Sequence, residues 1–286
     1  MTQVIAREKI GIGVITCNRP FLFRECITAI PEADVIVVVN DGDPYATTAY
    51  PSRVARVIQH PRNQGVAKSK NDALRFLQVA GCCHVFLCED DMRVVHPELC
   101  TEYIRASKES GILHFNFGYH GPLNKSASGV AEPRKVVDYG NGILIGLNRH
   151  LVGAFTYYRE DVLRKCGLMH PLYPNVLEHV DHTFQIIRKG YHPPFWWFAD
   201  LANSWRFIDD LDPDLTKSTI RRNSSTYRHL WRLSNLYFML RNGRRVMQIP
   251  DVEEQEVDRV LRELKQRHSR SRPDSDHSRA DQIVYQ

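Results

Sequence analysis

Three carboxylates stand together at Glu89-Asp90-Asp91, directly after the apolar run HVFLC at 84–88. Adjacent negative charges repel, and a bound cation is the usual way to hold them together at low cost. Hard oxygen ligands select Mg²⁺ or Mn²⁺, which take one or two carboxylates and leave positions for substrate phosphates. That chemistry points to a nucleotide substrate. A solvated acidic turn is the ordinary alternative, but the place of this triplet after an apolar strand favours a site. A second cluster, Glu178-His179-Val180-Asp181-His182, opens a helical stretch. One of its carboxylates or imidazoles could remove a proton from an attacking hydroxyl, and a helix N-terminus also favours anions. The ordinary alternative here is an acidic first turn.

Both clusters need a frame to position them. Residues 10–16 (IGIGVIT) and 35–40 (VIVVVN) are short Val/Ile runs, the pattern of parallel strands buried on both faces. The first ends in Cys17-Asn18-Arg19-Pro20 ahead of a helical stretch at 21–30, and the second in the polar turn 40–44. Residues 54–58 predict a third strand, followed by the turn 60–65 and a helix over 66–80 with Ala73, Leu77 and Ala80 on one face. Residues 84–88 predict a fourth strand. This order implies a doubly wound α/β sheet, whose ligands bind beyond the carboxyl ends of the strands. Every polar turn named above converges there. Short strands at 112–117 and 143–147 imply an α+β second half on the same sheet. Residues 178–189 predict a helix, 193–198 (PPFWWF) reads as core, and 252–268 carries Val257, Val260, Leu261 and Leu264 at helical spacing.

A chain of 286 residues with 43% hydrophobic and 25% charged content suits one large domain or two small ones and excludes a disordered or fibrous class. Seven cysteines without a C-x-x-C pair, two of them adjacent, argue against a disulfide framework or a structural zinc site. The expected setting is a reducing cytoplasm, bacterial, or that of a host if the chain is viral. No apolar run approaches the roughly 18–20 residues of a membrane span, and Met1 to Lys9 lacks a signal pattern, so neither secretion nor integral membrane association is expected.

Six motifs in order carry a resemblance: Val14-Ile15-Thr16-Cys17-Asn18-Arg19-Pro20, Val38-Val39-Asn40-Asp41-Gly42-Asp43, Asn63 to Asn71, Glu89-Asp90-Asp91, Gly153-Ala154-Phe155 and Glu178-His179-Val180-Asp181. Together they span about 10–191 and resemble GT-A glycosyltransferases, above all the family-2-like group that transfers a sugar from a nucleotide diphosphate sugar to a hydroxyl. The segment 92–98 is also similar to that following the EDD variant of the DXD motif in eukaryotic N-acetylglucosaminyltransferases.

The resemblance implies a GT-A domain over 1–248, with a Rossmann-like, mostly parallel nucleotide-sugar half (about 1–110) and an α+β acceptor half (111–248). An amphipathic helix at 249–268 and a disordered tail at 269–286 would follow. It also implies a UDP-sugar donor and Mn²⁺ or Mg²⁺. Thr16, Asn18, Arg19 and Asp41 would line the nucleotide pocket, Asp41 accepting from a uracil N–H. Asn63, Gly65 and Lys70 would border it, with Lys70 offering charge to the nucleotide. Asp91 would bind the metal directly, while Glu89 and Asp90 would hold the ribose or support the metal shell. Many relatives carry Glu-Asp at the second motif with the Asp as base. His179 stands in that place here, leaving Glu178, His179 and Asp181 as candidates, with Asp181 aligning slightly better with EDD-type relatives. A single in-line attack assisted by one of them would invert the anomeric carbon.

On the acceptor side, Gly153, Ala154, Phe155 and Tyr157 match the family's segment, and Trp205 with the acidic turn 209–214 could form a lid. The segment 217–245 holds eight Lys and Arg, including Arg221 and Arg222, and no acidic residue, against a net charge of +5 for the chain. Its Leu230, Leu233, Tyr237 and Leu240 predict an apolar helix face, with Arg228 and Arg232 on the other side. A solvated basic helix, contact with the donor diphosphate, an anionic surface and a nucleic acid backbone all fit this composition. The acceptor is therefore expected to be a glycan, a lipid-linked glycan, or a hydroxymethylated base in viral DNA. A non-catalytic nucleotide-sugar or nucleic-acid binding module is the alternative of another class.

Overall fold

The Val/Ile runs become strands because their side chains fill both sides of one sheet. A computed structural model describes residues 7–173, 175–216 and 224–270. Its strands are β1 (Ile10–Thr16), β2 (Val35–Asn40), β3 (Arg56–Gln59), β4 (His84–Glu89), β5 (Met92–Val94), β6 (His114–Asn116), β7 (Lys135–Asp138), β8 (Leu144–Asn148), β9 (Phe155–Arg159), β10 (Phe198–Leu201) and β11 (Ile208–Asp210). The helices are α1 (Pro20–Ala29), α2 (Val66–Val79), α3 (Leu99–Ser110), α4 (Glu160–Cys166), α5 (Glu178–Arg188), α6 (Ser224–Asn242) and α7 (Glu254–Arg270).

The central sheet has the order β3-β2-β1-β4-β9-β6. β1 runs parallel to β2 and β4, and β9 alone is reversed, pairing antiparallel with both β4 and β6. On one face Ile12, Val14, Ile36 and Val38 pack with Phe23, Cys26 and Ile27 of α1; on the other Ile15, Val37, Val39 and Leu87 pack with Ala73, Leu74 and Leu77 of α2. Gly13 permits the second contact, since a Cβ there would lie 2.8 Å from the Ala73 Cβ. The doubly wound expectation therefore holds. β10, β8 and β7 form a second, antiparallel sheet, and β11 pairs with β5 immediately after the acidic triplet.

Phe195, Trp197 and Phe198 are buried, as PPFWWF predicts, and Val257, Leu261 and Leu264 of α7 face the core. The expected disordered tail lies outside the described residues beyond 270. One expectation is corrected: α6 turns Ser234, Asn235 and Phe238 inward, while Leu233 and Leu240 face solvent. Of the expected apolar face only Tyr237 packs, joined by Phe238, while the leucines at 233 and 240 turn outward.

Candidate active site

β1 and β4 end side by side, and each feeds one wall of a cleft of about 290 Å³. Arg19, at the start of α1, reaches across to the acidic triplet. Its Nη1 donates to Asp91 Oδ2 at 2.8 Å and its Nη2 pairs with Asp90 Oδ1. Thr16 Oγ1 donates to Asp90 Oδ2 at 2.6 Å and so takes the Tyr45 hydroxyl as donor at 2.9 Å; the Tyr45 oxygen in turn accepts the Arg19 N–H at 3.0 Å. Burial pushes the Asp90 carboxyl up to about 7 despite Arg19, and raises Asp91 as well. Asp91 keeps a buried Oδ1 with no partner.

The adjoining part of the lining comes from the segment that enters β9 and the first turn of α5. Lys70, 2% exposed on α2, lies 2.7 Å from Glu89 Oε1 and 3.4 Å from Glu178 Oε1, and donates to the Gly153 carbonyl at 2.9 Å. Burial raises both glutamates, but Lys70 and, for Glu178, His179 more than reverse this and hold them below the usual carboxylate range. His179 donates Nδ1–H to Glu178 Oε1 at 3.0 Å, which orients the ring and leaves Nε2 as its basic nitrogen. Gly153 makes room for that ring, because a Cβ would come 2.7 Å from His179 Cγ. Leu177, just before α5, adopts a left-handed φ of 67°, and such strain is retained where the surroundings fix it.

Of the residues expected in the site, Thr16, Arg19, Glu89, Asp91, Gly153, Ala154, Glu178 and His179 line this cleft, and Asp90 backs it. Others take different places. The Asp41 carboxylate accepts Gln64 N–H at 2.6 Å, Gly65 N–H at 2.8 Å and His60 Nδ1 at 2.6 Å, so it anchors the loop before α2 rather than offering itself to a base. Gly65 serves that loop with a φ of 89°. Asn63 donates to the Asp41 carbonyl at 3.2 Å, and Asn18 Oδ1 accepts Asp43 N–H at 2.7 Å, so both hold turns together. Lys70 is a buried clamp between carboxylates rather than a nucleotide-facing charge.

Asp181 sits elsewhere. It is 1% exposed, accepts Asn242 Nδ2–H at 2.9 Å and pairs with Arg241 Nε at 3.3 Å, so it ties α5 to α6 and is absent from the cleft wall. Phe155 and Tyr157 are buried core residues, and Trp205 is 54% exposed away from the cleft. Arg221 and Arg222 lie outside the described residues. Sequence reasoning missed Tyr45, Asn175, His120, Tyr227 and Trp231. Asn175, whose Oδ1 accepts the first N–H of α2 at 3.1 Å, lines the cleft together with His120, Tyr227 and Trp231. His120 lies 3.0 Å from Asp210; burial lowers its basicity, but Asp210 and Asp91 raise it further.

No protein-family model matches the chain, and no curated protein does. Solved structures do. Residues 1–349 of S. aureus TarS in complex with UDP-GlcNAc match at a TM-score of 0.51 and 16% identity, over 92% of this chain and 73% of that one. GalNAc-T7 with UDP, GalNAc and Mn²⁺ matches at 0.54 and 8% identity, over 93% and 57%. The chain spans 43% of the longer TarS structure. The chain has the GT-A glycosyltransferase fold.

The cleft of this GT-A fold fits a divalent cation on its own chemistry. Four carboxyl groups (Glu89, Asp90, Asp91, Glu178) lie beside two permanent cations (Arg19, Lys70), and a further cation would favour the ionised forms of Asp90 and Asp91 that burial disfavours. Asp91 Oδ1 is an unpartnered acceptor. Among the described residues no group of three or more His, Cys, Asp or Glu converges as a protein cage. One carboxylate combined with phosphate oxygens is the mode Mg²⁺ commonly uses.

Proposed function

We propose that this protein is an inverting, metal-dependent glycosyltransferase that moves a sugar from a UDP-sugar to a hydroxyl acceptor. The observation that carries the reading is that two complementary groups line one GT-A cleft: the open Asp91 oxygen and the Glu178-His179 pair. The UDP donor is supported by the neighbours solved with UDP-GlcNAc and with UDP.

In this reading Asp91 holds the Mn²⁺ or Mg²⁺, which when bound neutralises charge on the departing diphosphate. Arg19 keeps Asp90 and Asp91 in place and adds a second positive charge at the same point. His179 Nε2 takes the proton from the acceptor hydroxyl while that oxygen forms its bond to the anomeric carbon. The bond from that carbon to the phosphate oxygen breaks, and UDP leaves with the electron pair. Glu178, held ionised by Lys70, stabilises the imidazolium that results. Attack from the face opposite the leaving group inverts the configuration.

The acceptor is a glycan or lipid-linked glycan in this proposal. A donor screen measuring UDP release with Mn²⁺ or Mg²⁺, with glycan acceptors and with hydroxymethylated DNA, tests it. Metal-dependent release that Asp91→Asn abolishes supports the reading. Donor binding without turnover across the panel would make the protein a binding module, and transfer to DNA alone would replace the acceptor.

A further inference from the structure

α6 packs through Tyr237 and Phe238 and leaves a row of leucines outside. Its protein-facing side carries Ser234 and Asn235 beside Phe238, each no more than 9% exposed. The opposite side carries Leu233, Leu236 and Leu240, at 50%, 49% and 72% exposed, and Met247 follows at 74%. At 100° per residue Leu233, Leu236 and Leu240 fall within one narrow stripe. Solvent-facing leucines occur singly on ordinary surfaces, whereas an aligned set marks a contact.

The charges around this stripe say what it meets. Arg228, Arg232, Arg244 and Arg245 are exposed, and no acidic residue occurs from 217 to 250. Arginine stems can lie along an apolar surface while their heads reach anionic groups. A nucleic acid backbone would satisfy the arginines but leave the leucines against water. A bilayer with anionic headgroups satisfies both, and a helix with an apolar stripe between basic flanks is the form that lies in such an interface. Among the described residues no helix is long and apolar enough to cross a membrane.

We infer that α6 docks this protein on the surface of an anionic phospholipid bilayer, with Leu233, Leu236, Leu240 and Met247 entering the headgroup boundary. Trp231 and Tyr227 of the same helix line the active-site cleft. At 100° per residue they fall on the side of α6 opposite the leucine stripe, so docking leaves the cleft uncovered by the bilayer, with α6 between the two. The inference does not depend on the transfer chemistry.

Co-sedimentation of the full chain with phosphatidylcholine vesicles, with and without phosphatidylglycerol, tests it. Binding is expected with phosphatidylglycerol and to weaken with added salt. Arg232→Gln should weaken it about fivefold. Leu236→Ser/Leu240→Ser should weaken it roughly tenfold or more. Both variants should leave the thermal midpoint within about 2 °C of wild type, since these side chains face solvent. In a separate measurement, Leu240→Trp fluorescence should shift to the blue on adding the anionic vesicles. Equal binding to both vesicle types, or leucine variants that bind like wild type, would overturn the docking. So would duplex DNA binding that the leucine variants retain without vesicle binding, or self-association that the leucine variants abolish without vesicle binding.

Discussion

Replacing Lys70 with methionine removes a buried charge from beside the cleft while keeping most of the side-chain volume. Lys70 lies 2.7 Å from Glu89 and 3.4 Å from Glu178, and both glutamates are held below the usual carboxylate range against the effect of burial. Deleting one member of a buried ion pair costs about 3–5 kcal/mol, chiefly because the remaining charge is stranded. In a chain of this size each kcal/mol moves the melting midpoint by about 2–4 °C, so Lys70→Met should melt about 6–20 °C lower at neutral pH.

The pH dependence follows from the sign of the shifts. In the wild type the depressed carboxylates contribute stability above their unfolded value, about 4.3 for glutamate, and lose it as pH falls towards their folded values. In Lys70→Met the same groups bind protons more readily. The gap between the two proteins should therefore be widest near neutrality and narrow in acid. Adding Glu178→Gln should recover part of the loss. Calorimetric scans across pH decide the matter: a midpoint within about 2 °C of wild type at neutral pH, or a deficit that stays constant into acid, would refute the reasoning.

Four further outcomes follow from the same geometry. His179→Gln should lower kcat by about 10²–10⁴ while leaving donor affinity intact, as measured by UDP-sugar titration. Asp181→Asn should lower thermal stability by about 1–3 kcal/mol with turnover retained, because it loosens the α5–α6 tie; a kcat loss matching that of His179→Gln would restore Asp181 as the base. Gly153→Ala should displace the His179 ring and cost about 10² in kcat with donor binding kept. Asp91→Asn should weaken Mn²⁺ binding in the presence of UDP by about tenfold or more, read by calorimetric titration.

The β1, β2 and β4 runs were legible because a strand buried on both faces writes itself as continuous Val and Ile. The acidic triplet was legible because it sits where such a strand stops. The proposed base was harder to place. Glu178 and Asp181 are three residues apart on one helix, and which of them meets the cleft depends on α6 crossing beside Asp181. Nothing local records that crossing. For Phe155 and Tyr157 the strand period puts both on one face, but only the assembled sheet shows that this face is core, leaving Gly153 and Ala154 at the cleft. Lys70 looked like a nucleotide ligand because a lysine is normally exposed, and its two glutamate partners lie 19 and 108 residues away. In α6, hydrophobicity suggested burial of Leu233 and Leu240, while the helix packs through Ser234, Asn235, Tyr237 and Phe238.

The reversal of β9 bears on how this chain can change over time. Glu89 donates its N–H to the Ala154 carbonyl at 2.8 Å, so the acidic triplet and the segment that enters β9 are neighbours in a single ladder. Exchanging the second half for a foreign sequence would strip two strands from the sheet and remove the Gly153 carbonyl that Lys70 grips. Recombination between α3 and β6 would therefore yield a broken sheet rather than a new specificity. For the proposed transferase, new acceptors are more accessible through substitution in the connections carried by an unchanged frame, such as residues 149–154 between β8 and β9.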